Sequence, residues 1–134
     1  MKIMKTIVLL SGLLLLLGCE KDSNDFDRVP GKYKCTVVYD YWDLSGTTEH
    51  DEKTDTLTVT AGKDDNIKIE PDYDLTNSSN SYKLNSDYSY DYTEGDGIPQ
   101  IHIKFIISND SITFFSQTGG LGGRSSYTIN GNKI

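Results

Sequence analysis

His50 and His102 are the two histidines of this 134-residue chain, and imidazole is the side chain whose ordinary pKa suits it to general-base work near pH 7. His102 stands between Ile101 and Ile103. Strand alternation would place it with Lys104 on a polar face, turned away from the core. His50 lies in Glu49-His50-Asp51-Glu52, a run of metal-ligating types. Contiguous residues of a strand or loop do not converge on one ion, so a solvated loop is its expected setting. Neither histidine has a nucleophile elbow or a recognisable triad motif to serve. The chain therefore reads as a non-enzyme, with no cofactor and no metal site.

Two further motifs fail on their own chemistry. Asp72-Tyr73-Asp74 begins like a calcium loop, but Asn77 stands where glycine is needed and Lys83 where a bidentate glutamate belongs. The glycine cluster from Gly119 to Gly123 is followed by a strand pattern, so it lacks the helix N-terminus that would face a phosphate. Its expected task is to let a hairpin connection adopt positive φ. What remains is aromatic. Nine tyrosines and Trp42 provide rings that pack on a ligand while neighbouring polar groups fix its orientation. Trp42, Asp43, Tyr73, Tyr88, Tyr90 and Tyr92 form the candidate ligand surface. The alternative is that the tyrosines line the core and cap strand ends with their hydroxyls in water.

These residues must be positioned by strands, because no segment after the N-terminus carries an amphipathic helix pattern. From Gly31 to Tyr41 apolar or aromatic residues occupy the odd positions, the period of a half-buried strand. Asp43-Leu44-Ser45-Gly46 is a turn signal, and a charged loop is expected from there through Lys53. Alternation resumes from Thr54 to Ala61 and again at Ile67 and Ile69. Asp72 to Asn80 reads as a long loop. Short strands follow around Tyr82 and Leu84 and through Tyr88, Tyr90 and Tyr92. Gln100 to Ser108 is the strongest strand pattern, joined through Asn109-Asp110, a two-residue turn, to Ser111–Gln117. Ser125 to Ile129 is the last strand, closed by Asn130-Gly131. About eight short strands imply an all-β antiparallel meander, closed as a barrel or folded as a sandwich.

The N-terminus has a different character. Lys2 and Lys5 precede the leucine-rich run Ile7 to Leu17, and Leu16-Leu17-Gly18-Cys19 follows. As a helix the apolar run would extend about 16 Å against a hydrocarbon core of about 30 Å, too short for a stable span. The order of charge, apolar run, small residue and cysteine resembles the lipobox of bacterial lipoproteins. That resemblance implies that residues 1–18 are a signal peptide cut before Cys19, that the Cys19 sulfur is lipidated, and that the protein is held in the cell envelope, with the outer membrane as the expected address. Two or three acyl chains then give lasting attachment where one gives only marginal binding. Residues 19–30 are polar and without period, which reads as a tether, and residues 31–134 form one domain.

Removing residues 1–18 leaves 11 basic against 20 acidic residues, a net charge of −9. Such a surface is not one for nucleic acid, whose phosphates are bound by Lys and Arg. Lipidation of Cys19 also leaves Cys35 unpaired, and its place in an alternating apolar run predicts burial as a small hydrophobe. Gly31-Lys32-Tyr33 after a short tether, a strong late hairpin and the ending Tyr127-Thr128-Ile129-Asn130-Gly131-Asn132-Lys133 resemble the small lipocalin-like lipoproteins of cell envelopes. The resemblance implies a lipocalin-like barrel, with Tyr33 where the family has tryptophan. The expected function is a non-catalytic binding module for a small apolar molecule or a glycan. The alternative is a structural or accessory lipoprotein that contacts an envelope protein.

Overall fold

The computed structural model describes residues 28–75, 80–95, 100–108 and 110–134. The expected signal segment, Cys19 and most of the expected tether lie outside the described residues, as do Asn77 and Asn109. Eight strands follow one another: β1 (Gly31–Asp43), β2 (Thr48–Ala61), β3 (Asn66–Glu70), β4 (Ser81–Lys83), β5 (Ser89–Glu94), β6 (Gln100–Ile107), β7 (Ser111–Gly120) and β8 (Gly123–Lys133). They form one antiparallel sheet in the order β4-β3-β2-β1-β8-β7-β6-β5. First and last strands pair along their length, with Val37 opposite Ile129 and Cys35 opposite Gly131. The sheet is thus an up-and-down ring whose one break falls between β4 and β5. Even there the connection is short, and the rings of Tyr82 and Tyr90 meet across the break at 5.2 Å. The architecture is a nearly closed, lipocalin-like barrel and not a sandwich of two sheets.

The period-two pattern explains the core. Tyr33, Cys35 and Val37 of β1, Leu57 and Val59 of β2, Ile103, Phe105 and Ile107 of β6, Ile112 and Phe114 of β7 and Ile129 of β8 all point inward and are buried. Cys35 is buried as its alternating run predicts, and burial pushes its thiol pKa up. Aromatic rings span the lumen: Phe105 stacks on Tyr90 at 5.3 Å and on Phe114 at 6.2 Å, and Tyr82 meets Phe105 edge-on at 5.0 Å. The hollow bounded by Leu57, Ile69, Tyr73, Tyr82, Phe114 and Ile129 has no room for a water-sized molecule. One end of the barrel is sealed by residues 28–30. Val29 is buried there, the Tyr33 hydroxyl donates to the Val29 carbonyl at 2.6 Å, and Lys133 Nζ donates to the Arg28 carbonyl at 2.5 Å.

Several boundaries differ from the sequence reading: β7 runs on to Gly120 and β8 starts at Gly123, so most of the expected glycine loop is strand, and two further differences bear on the site. The expected charged loop through Lys53 is strand: β2 begins at Thr48, and Thr48, His50 and Glu52 stand opposite Trp42, Asp40 and Val38. The Asp43 carboxylate fixes the turn before it, accepting from the Ser45 and Thr47 backbone N–H groups at 2.9 and 3.0 Å. A turn set this firmly feeds a ladder that needs no apolar alternation. The last strand also runs through Asn130-Gly131 to Lys133, because Gly131 makes room for Cys35 within the strand. At the hairpin around Asp110, the Ser108 N–H donates to the Ser111 carbonyl at 2.9 Å, which leaves two residues between them.

Candidate functional site at the open end of the barrel

β3 stops at Glu70, opposite Thr58, while β1 and β2 run on together to Trp42 and Thr48. The barrel wall is therefore complete at the sealed end and open on one side at the other. After β3 the chain turns inward. Tyr73 and Asp74 are buried, the Leu75 N–H donates to Ser116 Oγ of β7 at 3.1 Å, and the Tyr82 hydroxyl donates to Asp74 at 3.1 Å. The segment forms a floor across the lumen, above the packed core.

Three tyrosines meet on this floor. Tyr39 of β1 and Tyr127 of β8 are opposite residues in the register, so both point to the inner face, and their rings lie 5.0 Å apart. Tyr73 meets Tyr127 edge-on, also at 5.0 Å. Lys53 Nζ sits over the Tyr73 ring, 5.2 Å from its centre, and the Tyr73 hydroxyl donates to the Asp55 carboxylate. Each titratable group shifts accordingly. Burial, then the Asp55 carboxylate, raises the Tyr73 pKa; that same hydrogen bond lowers the pKa of Asp55 and the Tyr73 oxygen raises that of Lys53. Farther out, the Tyr41 hydroxyl donates to Asp43 at 3.0 Å. The result is a row in which Tyr39 and Tyr127 are half-buried and Tyr73 is buried beside them, flanked by a carboxylate, an ammonium and phenolic hydroxyls. Such an arrangement packs an apolar face and satisfies polar edges, with no group poised as a nucleophile.

The six residues proposed from sequence as a ligand surface do not gather in one place. Tyr73 belongs to the row. Asp43 borders the same end, spent largely on its turn. Tyr92 is 41% exposed on the inner face of β5, where its hydroxyl donates to Glu94 at 2.8 Å. Tyr90 is part of the core stack. Tyr88 precedes β5 in a turn with φ of +58° and packs against the core. Trp42 points to the outer face, 39% exposed, opposite Arg124. Sequence reasoning missed Tyr39, Tyr127, Lys53 and Asp55; period two marks Tyr39, Asp55 and Tyr127 as inward, whereas Lys53 turns inward only through its register opposite Val37.

The histidines lie on the outer wall. His102 meets Asp91 at 3.1 Å and Phe115 edge-on at 5.6 Å, in agreement with its polar-face assignment. His50 is on a strand and not in a loop, with Nδ1 2.6 Å from Asp40 Oδ1. Glu49 and Asp51 face inward while His50 and Glu52 face outward, so the four do not converge. The outer wall also carries a shallow groove of about 420 Å³ among Lys34, Thr36, Thr54, Thr113, Asn130 and Asn132. Its cause is composition: mostly small outward side chains on four adjacent strands, β2, β1, β8 and β7.

Comparison of the chain with protein-family models, with curated proteins and with solved structures gives no match. Functional inference therefore rests on the chemistry of the barrel itself.

Proposed function

We propose that the protein is a cell-envelope lipoprotein, anchored through Cys19, whose barrel is a non-catalytic module that binds a glycan on the tyrosine row at its open end. The observation that carries this reading is the Tyr39–Tyr127–Tyr73 row at 5.0 Å intervals, with Lys53 and Asp55 beside it. A sugar ring presents C–H faces that pack on tyrosine and hydroxyls that need partners. Carboxylates accept from those hydroxyls and Lys53 donates to them. The packed lumen supports a surface site over an internal calyx for a small apolar molecule.

Charge narrows the ligand. Asp43, Glu49, Asp51 and Asp55 surround the row from the inner faces of β1 and β2, so an anionic glycan meets like charge there. Neutral sugars are the expected ligands. The test is isothermal titration of the protein with neutral and uronic-acid oligosaccharides. Saturable heat with a neutral sugar, lost in Tyr127→Ala and absent with the acidic series, supports the reading. Binding that ignores Tyr127→Ala rejects it.

A further inference from the structure

The β2 strand has two unequal halves: β3 covers only Thr58–Ala61, and among the described residues no strand pairs with the outer edge of Thr48–Thr56. The geometry points to this edge as a docking site for an extended, Lys/Arg-bearing segment of a partner protein, added as a further strand beside β2. Antiparallel ladders direct the backbone groups of alternate residues to alternate sides. The Gly62 N–H donates to the Asn66 carbonyl on the β3 side, and the Thr56 N–H is taken by the Asp55 carboxylate. Even-numbered residues of β2 therefore turn their N–H and C=O away from β1. Thr48, His50, Glu52 and Thr54 present four such donor and acceptor pairs along the uncovered edge.

Side chains decide who fits. Glu49, Asp51 and Asp55 line one side of the edge strand and Glu52 the other, with Lys53 as the one lysine among them and His50 already bound to Asp40. A second copy of this chain would set its own acids against these, and like charges directly opposite are unfavourable. Exposed edges are protected from self-pairing by charge of this kind. The same charges favour a basic strand, whose side chains would interleave with the acids while its backbone completes the ladder. The site differs from the tyrosine row in using the backbone of the strand edge, whereas the row lies on the inner face, and the two share the inner-face charges Glu49, Asp51, Lys53 and Asp55.

The test uses the full chain in neutral detergent and three nine-residue peptides: an alternating Lys/Thr strand, its Glu/Thr counterpart, and the Lys/Thr strand N-methylated at every second residue. Binding of the first, with slowed amide exchange at Thr48, His50, Glu52 and Thr54, is the expected result. The N-methylated and acidic peptides should bind at least about tenfold more weakly, the loss of one or more backbone hydrogen bonds or of charge attraction. Glu52→Pro removes an outward N–H without touching the β1 ladder, and it should weaken the Lys/Thr peptide while leaving the unfolding midpoint nearly unchanged. Because Glu52→Pro also removes a charge, Glu52→Gln is the control, with a smaller loss expected. Equal affinity for the N-methylated peptide, unchanged exchange at the four amides, or self-association that protects those amides without peptide would each overturn the proposal.

Discussion

Cys35 and Gly131 face each other across the β1–β8 pairing that closes the barrel, and a methyl group added at Gly131 would lie 2.2 Å from the Cys35 sulfur. The thiol occupies the space that a side chain at position 131 would need. Gly131→Ala is expected to destabilise the fold by about 1–3 kcal/mol through overpacking. Cys35→Ala alone removes one buried sulfur and should cost about 1 kcal/mol. The double variant should be more stable than the sum of the two losses, because each change relieves the other. Urea unfolding with an unchanged slope checks this, and strict additivity would refute the contact.

The same pair shows why part of the fold was legible and part was not. Odd-numbered apolar residues from Tyr33 to Tyr39 announced β1 and the burial of Cys35, since period two requires only local information. Gly131 looked like a strand end, because its reason for being glycine sits on another strand. The polar run Thr48 to Lys53 carried no alternation and looked like a loop. It is strand because Asp43 sets the turn and β1 supplies the ladder. The tyrosine row was hidden for a related reason: Tyr39 and Tyr127 are far apart in the chain and meet only through the β1–β8 register. Tyr88, Tyr90 and Tyr92 drew notice by proximity in sequence, yet Tyr90 serves the core and Tyr88 a turn.

The sealed end offers a second test. Tyr33 is fully buried with its hydroxyl on the Val29 carbonyl. Tyr33→Phe keeps the ring and loses the hydrogen bond, an expected cost of about 0.5–1.5 kcal/mol. Tyr33→Ala also opens a cavity and should cost about 3–5 kcal/mol. Thermal unfolding of the two variants distinguishes the contributions; equal losses would mean that the hydrogen bond carries the whole effect.

The outer wall gives a pH test. Asp40 accepts a hydrogen bond from His50 and raises its pKa above the ordinary imidazole value. A raised folded pKa means that the pairing contributes fully below about 6.5, the ordinary value, and is lost as pH rises through the folded one. Asp55 runs the opposite way: its lowered pKa, caused first by the Tyr73 hydroxyl, makes a contribution present above the ordinary carboxylate value and lost as pH falls through the folded one. Proton NMR should show the His50 midpoint falling in Asp40→Asn. An unmoved midpoint would remove Asp40 as the cause.

Anchoring is tested apart from the barrel. Cys19 resembles the acceptor of a lipoprotein signal, so the protein expressed in a Gram-negative host should partition into detergent on phase separation, and Cys19→Ser should move it to the aqueous phase. Acyl chains supply about 0.8 kcal/mol per buried CH₂, so the change should be near complete. Aqueous partitioning of the unaltered protein would contradict lipidation.

The central claim is that the tyrosine row takes a sugar. Two-dimensional NMR of the tyrosine ring protons during titration with neutral oligosaccharides tests it most directly. Saturable shifts confined to Tyr39, Tyr73 and Tyr127, with Tyr33 and Tyr90 unmoved and the response abolished by Tyr127→Ala, are the result expected. Shifts spread evenly over exposed tyrosines, or no saturable response to any neutral sugar, would contradict it.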